Sequence, residues 1–265
     1  MSFHCTFFTN PQARRYVFSY TFVLLAVRKR PTMKHFIPTL LLIFLISFKG
    51  VGQSKTYVTS GLELIFSWAD ITDNNKVESA NLRFAPVINI QSYTHLDFSE
   101  KFGIYSGLAV RNVGYIYGNY KTPVTPTNSI ITTFEKRFRS YNLGIPIAFK
   151  IGNLSKMFIY GGYELEIPFL YKEKKYENGD QLKGEKITGW FSDRQQSLYH
   201  SVLVGIQFPY GMNLKFKYYL TEFHNQGYTA SDGSKPYAGL LSNVFYISLN
   251  SMLFKNASFD PSGKE

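Results

Sequence analysis

Leu143-Gly144-Ile145-Pro146-Ile147-Ala148-Phe149-Lys150-Ile151 decides the fold. Every odd position carries a bulky apolar side chain, while the even positions carry small residues, a proline and a lysine. Side chains on a β-strand point alternately to opposite faces, so a period of two reads as a strand with one apolar face and one small or polar face.

The same period continues on both sides of this stretch. Leu62, Leu64, Phe66 and Trp68 alternate with Glu63, Ile65 and Ser67. Ile159, Tyr163, Leu165 and Ile167 alternate with Tyr160, Gly162, Glu164 and Glu166. Val202, Val204 and Ile206 alternate with Ser201, Gly205 and Gln207; Leu214, Phe216 and Tyr218 with Asn213, Lys215 and Lys217; Phe245, Ile247 and Leu249 with Tyr246, Ser248 and Asn250. A further strand spans residues 81–96, with Leu82, Phe84, Ile88 and Ile90 on one face. Another spans 102–117, where the apolar parity is even at Ile104, Leu108 and Val110 and odd at Val113, Tyr115 and Tyr117. A bulge near Arg111-Asn112 is the expected cause of that switch. The total is eight strands, each about the 9–11 residues of a tilted membrane strand or longer.

The connections alternate in length. Residues 69–80, 118–136, 172–196 and 222–242 form long ones, and 97–101, 152–156 and 209–211 form short ones. Outer-membrane barrels combine short periplasmic turns with long external loops, and an even strand number returns both chain ends to the periplasm. The predicted fold is all-β: an eight-stranded antiparallel up-and-down transmembrane β-barrel. The main structural rival is a soluble periplasmic lipocalin-like barrel that binds a hydrophobic ligand. In that fold the bulky apolar face points inward. The small and polar residues of the other face here suit a crowded, narrow interior instead. Pro86, Pro146 and Pro168 fall inside proposed strands, where each removes a ladder donor; bulges or strand ends are their expected sites.

Composition agrees. The 265 residues hold 24 Phe and 20 Tyr but only 2 Trp, a wealth of rings suited to lipid-facing strands. The formal charge of +11 misleads. Residues 1–52 contain seven of the 29 basic residues and no acidic one, so the remainder has 22 basic against 18 acidic. A nucleic-acid partner is therefore not expected. Met33-Lys34-His35 followed by the apolar run 36–48 and by Gly50 and Gly52 has the three parts of a secretory signal. The expected organisation is an N-terminal extension at 1–32, a signal peptide at 33–52, a barrel at 53–254 and a short tail at 255–265. The single cysteine, Cys5, falls in the extension. The barrel then has no disulfide, thiol nucleophile or zinc cluster, and no cofactor is expected.

Candidate function lies in the lumen and the loops. Glu63, Arg83, Arg111, Lys150, Glu164, Glu166, Lys215 and Lys217 are expected to point inward. An eight-stranded barrel is just wide enough for side chains to fill it. Charges buried there must pair, so the expected arrangement is a salt-bridged plug rather than an open pore. A lipid A-modifying enzyme is the catalytic alternative, prompted by His200-Ser201. Adjacent strand residues face opposite ways, however, and make a poor nucleophile–base pair. Glu164 and Glu166 have the spacing of an acid–base pair, but as counter-ions of the inward lysines they have a simpler role. The chain is read as a non-enzyme.

Two stretches are similar to a known family. Phe102-Gly-Ile-Tyr-Ser-Gly-Leu-Ala-Val-Arg-Asn-Val-Gly-Tyr-Ile116 resembles the third strand of PorT-like outer-membrane β-barrel proteins of Bacteroidota, and Tyr141-Asn-Leu-Gly-Ile-Pro-Ile-Ala-Phe-Lys150 resembles the next, including its proline. The resemblance covers most of residues 61–254 and implies an eight-stranded barrel of the OmpA or OmpX type. It departs at the C-terminus, where residues 255–265 follow Phe254, the expected terminal aromatic read by the assembly machinery. The expected role is structural, surface-interacting or secretion-accessory, in the outer membrane. The expected partners are outer-membrane lipid and lipopolysaccharide, the assembly machinery, and secretion-system or surface proteins met through the long loops.

Overall fold

The computed structural model describes residues 55–121 and 133–256, with side chains to Met252. The expected N-terminal extension, the signal peptide and residues 257–265 of the tail lie outside the described residues.

Among the described residues ten of twelve strands make eight staves. The first is β1 (Lys55–Asp73). The second is built of three pieces, β2 (Lys76–Asn81), β3 (Arg83–Ala85) and β4 (Ile90–Asp97). The third, fourth and fifth are β5 (Phe102–Lys121), β6 (Thr133–Asn153) and β7 (Met157–Glu177). Two short strands, β8 (Asp180–Gln181) and β9 (Ile187–Trp190), fold back on β7. The last three staves are β10 (Tyr199–Gln207), β11 (Met212–Tyr219) and β12 (Leu240–Asn256). Each stave pairs antiparallel with the next in sequence, and β12 returns to β1 along a ladder from Val58↔Asn256 to Asp73↔Leu240. That ladder closes the sheet, so the fold is an all-β, eight-stranded up-and-down barrel.

The faces sort as the period predicts. Leu62, Ile90, Leu108, Ile147, Phe149, Ile151, Ile159, Val204 and Ile247 are exposed on the outside, while Glu63, Arg111, Lys150, Glu164, Ser201, Lys217 and Ser248 are buried inside. This distribution is the reverse of a lipocalin interior. Aromatic rings edge the outer belt, with Trp68, Phe216 and Tyr218 grouped around Phe245.

Several connections are shorter than expected. Asp73 and Lys76 pair across the two-residue turn Asn74-Asn75, with φ of 47° and 64°. Asparagine tolerates that left-handed conformation better than most residues, and two such positions in a row make the turn that suits a twisted hairpin. The expected long connection at 69–80 is thus mostly ladder. So is much of 172–196, where β7 runs to Glu177 before turning at Asn178-Gly179. In both places the outward residues become polar, so the sequence alternation fades while backbone pairing continues. The strands of 19–21 residues exceed the belt, and their surplus forms a wall at the long-loop end. Segment 220–239 folds into that mouth, burying Phe223, His224 and Tyr237.

The bulge expected near Arg111-Asn112 is absent from the β5–β6 ladder, whose register is continuous from Phe102↔Ile151 to Tyr117↔Lys136 apart from Gly107 and Leu108. Val113, Tyr115 and Tyr117 keep the inward parity of Tyr105, Ala109 and Arg111. The apparent switch arises because the lumen itself becomes aromatic toward the long-loop end. The break lies in the neighbouring stave, where four residues, Pro86 to Asn89, face only Glu63 and Leu64 between Ile65↔Ala85 and Leu62↔Ile90. Asn89 repairs the wall there. Its side chain donates to the Ala85 carbonyl at 2.7 Å and accepts from the Asn112 amide at 2.7 Å. Pro146 stands opposite Gly107 of β5, at the gap in the β5–β6 ladder, and Pro168 sits at the register shift of β6 against β7.

Candidate functional site

Charged residues from four staves, β1, β5, β7 and β11, converge inside the barrel. Arg111 donates from Nε to Glu63 at 2.9 Å and from Nη2 to the Tyr93 hydroxyl at 2.6 Å, and from Nη1 reaches Glu164 and, at 3.3 Å, Glu166. Lys217 bridges Glu164 at 2.8 Å and Glu166. Lys215 holds Glu63 at 2.7 Å. Three carboxylates therefore meet three cations, and the cluster is neutral as a whole. Each of the six side chains is 3% exposed or less. Desolvation of any one charge alone would be costly, and mutual pairing offsets it.

Two of the eight predicted residues stand outside this cluster. Lys150 lies toward the short-turn end, paired with Asp97 and close to His95 Nδ1 at 3.2 Å and the Tyr57 hydroxyl at 3.3 Å. Arg83 is buried but does not join the charge network. It meets the backbone carbonyl of Asn112 at 3.2 Å and the Asn112 side chain. Because β3 pairs only with β1, the Arg83 guanidinium spans the wall from β3 to β5 where no ladder exists. Its role is to close the barrel.

The sequence reading missed the neutral members of the layer. Tyr219 donates to Glu166 at 2.7 Å, and Asn142 donates to the same carboxylate at 2.7 Å. Their inward parity was the available signal. Asp97 was likewise readable, being in phase with Tyr93 and His95, but it falls in what reads as a turn.

Above the charged layer the lumen is aromatic. His224 stacks on Tyr237 with ring centroids 4.3 Å apart, and its Nε2 lies 3.0 Å from the Tyr115 hydroxyl. Tyr171 and Tyr237 donate to Glu173 at 2.9 and 2.8 Å, and Lys136 pairs with the same carboxylate at 2.9 Å. Burial brings the His224 imidazole down to about 3, against the pull of Glu173 and with the help of Lys136. At the opposite mouth a cavity of about 350 Å³ is lined by Tyr57, His95, Phe158, Gln207, Tyr210 and Met252, among others.

Nucleophilic chemistry finds no arrangement at His200-Ser201. Ser201 is fully buried in the lumen and donates to the Glu164 carbonyl at 3.0 Å, whereas His200 lies on the other face beside Tyr163. Among the described residues no group of three or more His, Cys, Asp or Glu is placed to hold a metal.

No family model and no curated protein sequence matches the chain. Among solved structures it is similar to Ail, the attachment invasion locus protein of Yersinia pestis, at 8% identity and a TM-score of 0.35, covering 77% of this chain and 100% of that one. Neisserial surface protein A gives 12% and 0.32, covering 76% and 100%. The outer membrane protein OprG from Pseudomonas aeruginosa gives 9% and 0.33, covering 77% and 96%. These likenesses are loose, and the eight-stave assignment rests on the ladder register.

Proposed function

We propose that this chain is a non-enzymatic outer-membrane β-barrel whose lumen is a charged plug, and that it acts in envelope structure or surface interaction, including as an accessory to secretion. The observation that carries the reading is the pairing of a closed barrel, apolar outside, with a neutral six-charge cluster filling its interior. An exposed apolar belt of this kind needs a lipid solvent. A neutral, hydrogen-bonded filling leaves no favourable path for solute. The two stretches similar to PorT-like barrels occupy the third and fourth staves, which supports that affiliation. Lys55 and the end of β12 lie at the short-turn end, in keeping with both termini in the periplasm and the long loops outside.

Fractionation with heat-modifiability tests the location, and planar-bilayer recording tests the plug. The expected result is an outer-membrane band that shifts on boiling and a reconstituted protein without steady conductance. A soluble periplasmic protein with no band shift overturns the membrane reading. Steady ohmic conductance overturns the plug.

A further inference from the structure

The wall above the apolar belt carries an arrangement that a strand ladder ordinarily avoids. On the outer face of β6 and β7, Arg139 stands directly opposite Lys172, and Arg137 directly opposite Lys174. Directly opposed side chains on one sheet face are about 4.5–5.5 Å apart at Cβ, and like charges there are destabilising. Two such pairs in succession put four cations on one small patch. Glu135 answers one of them, pairing with Arg137 at 2.5 Å. Lys174 donates to the neutral Gln181 at 3.0 Å, and Lys172 lies 5.1 Å over the Tyr141 ring. Among the described residues no carboxylate lies within salt-bridge distance of Arg139, Lys172 or Lys174.

The patch sits at a definite height. Two residue pairs below Lys172, Trp190 is exposed opposite Leu170 and stacks on Phe169, with Phe191 exposed beside it. Tryptophan and its aromatic neighbours mark the boundary between headgroups and hydrocarbon. Below that boundary, and on the same outward face, a groove of about 420 Å³ is lined by Leu62, Ile90, Leu108, Val110 and Leu143, among others. Register connects the two features. Arg139 lies opposite Gly114 on β5, and Leu143 lies opposite Val110. Gly114 brings no side chain beside Arg139 and packs closely on its backbone, and Leu143 follows four residues down the strand, roughly 13 Å at strand rise.

We propose that this face holds a phosphorylated, acylated glycolipid of the lipid A type, its phosphates on Arg139, Lys172 and Lys174 and one acyl chain in the groove. The inference rests on the membrane reading above. Charge complementarity selects the head, since unanswered cations in close array match a headgroup with more than one phosphate. The apolar groove that Leu143 joins, below Arg139 on β6, selects a lipid over a soluble anion.

The test uses full-length protein extracted from outer membranes in mild detergent. Purified lipid A, its dephosphorylated form and phosphatidylglycerol are compared as ligands by native mass spectrometry. The expected result is retention of lipid A, with the dephosphorylated form and phosphatidylglycerol bound much more weakly. The paired substitution Arg139→Gln and Lys172→Gln is expected to weaken lipid A binding roughly 25-fold, about fivefold for each cation near an anionic headgroup, with the heat-modifiable band unchanged. Equal binding of the dephosphorylated form overturns the proposal without needing any variant, as does phosphatidylglycerol binding as tightly as lipid A. So does undiminished binding by a folded double variant. In each of these outcomes an intact band shift leaves the membrane reading standing. A protein that is soluble and shows no shift removes both.

Discussion

Gly144 on β6 faces the Glu164 carboxylate so closely that a methyl group there would overlap Oε1 and crowd Arg111 Nη1. The missing side chain is the space in which acid and guanidinium meet. Gly205 does the same for the ring of Tyr160. Small residues on the polar face are thus the volume complement of the large charged and aromatic ones, and the lumen is filled by their sum.

Enlarging Gly144 should therefore loosen the barrel. Overpacking a filled interior costs about 1–3 kcal/mol, and displacing a paired carboxylate adds to it. Gly144→Val is expected to lower the temperature at which the unboiled gel band converts to the unfolded position. Gly184→Ala, where a β-carbon meets nothing, should leave that temperature unchanged. Equal behaviour of the two variants would show that the interior has slack.

Neutrality of the cluster makes a prediction about pairs of changes. Arg111→Met leaves Glu63, Glu164 and Glu166 with only Lys215 and Lys217. Removing one partner from a buried ion pair costs about 3–5 kcal/mol. Adding Glu164→Gln leaves two matched pairs, Glu63 with Lys215 and Glu166 with Lys217. Urea unfolding in detergent micelles should show the double variant recovering at least half the loss of Arg111→Met. Additive losses would mean that the residues do not act as one electrostatic unit.

The period-two pattern makes most of the barrel and the inward parity of the charges legible in the sequence, because lipid and lumen impose opposite chemistry on alternate residues. It stopped being legible where that contrast ends. Asp70 to Ser79 remain a ladder, but their outward faces no longer need to be apolar, so they read as a loop. Val113, Tyr115 and Tyr117 suggested a bulge because an aromatic lumen and a lipid face look alike in sequence. Arg83 looked like a member of the plug because parity reports a face and not a partner; its task follows from the missing β3–β5 ladder, which is a matter of register.

That missing ladder makes Asn89 a specific point of weakness. Its side chain serves the Ala85 carbonyl and the Asn112 amide, two backbone groups otherwise left in the wall without partners. A buried unsatisfied polar group costs about 1–3 kcal/mol. Asn89→Ala is expected to speed hydrogen exchange at the Asn112 amide by at least tenfold, with protection on the far side of the barrel, at Val204 and Phe216, unchanged. Unaltered exchange at Asn112 would mean that the backbone closes the gap by itself.

Acid should open the long-loop mouth before it unfolds the barrel. His224 titrates near 6.5 when free and at about 3 in the folded mouth, where burial outweighs the attraction of Glu173 and Lys136 adds repulsion. The closed mouth therefore binds fewer protons than the open one between these values, and its stability rises with pH across that window. Closure is at full strength above about pH 6.5 and weakens progressively as pH falls toward 3. Amide protection in segment 223–240, corrected for intrinsic exchange, is expected to be lower at pH 5 than at pH 7.5. His224→Phe keeps an aromatic ring between Tyr237 and Phe138 and removes the titrating group, so its protection should vary far less with pH. If the variant shows the same pH dependence as the native chain, the titrating group lies elsewhere in the protein, and the imidazole is only packing.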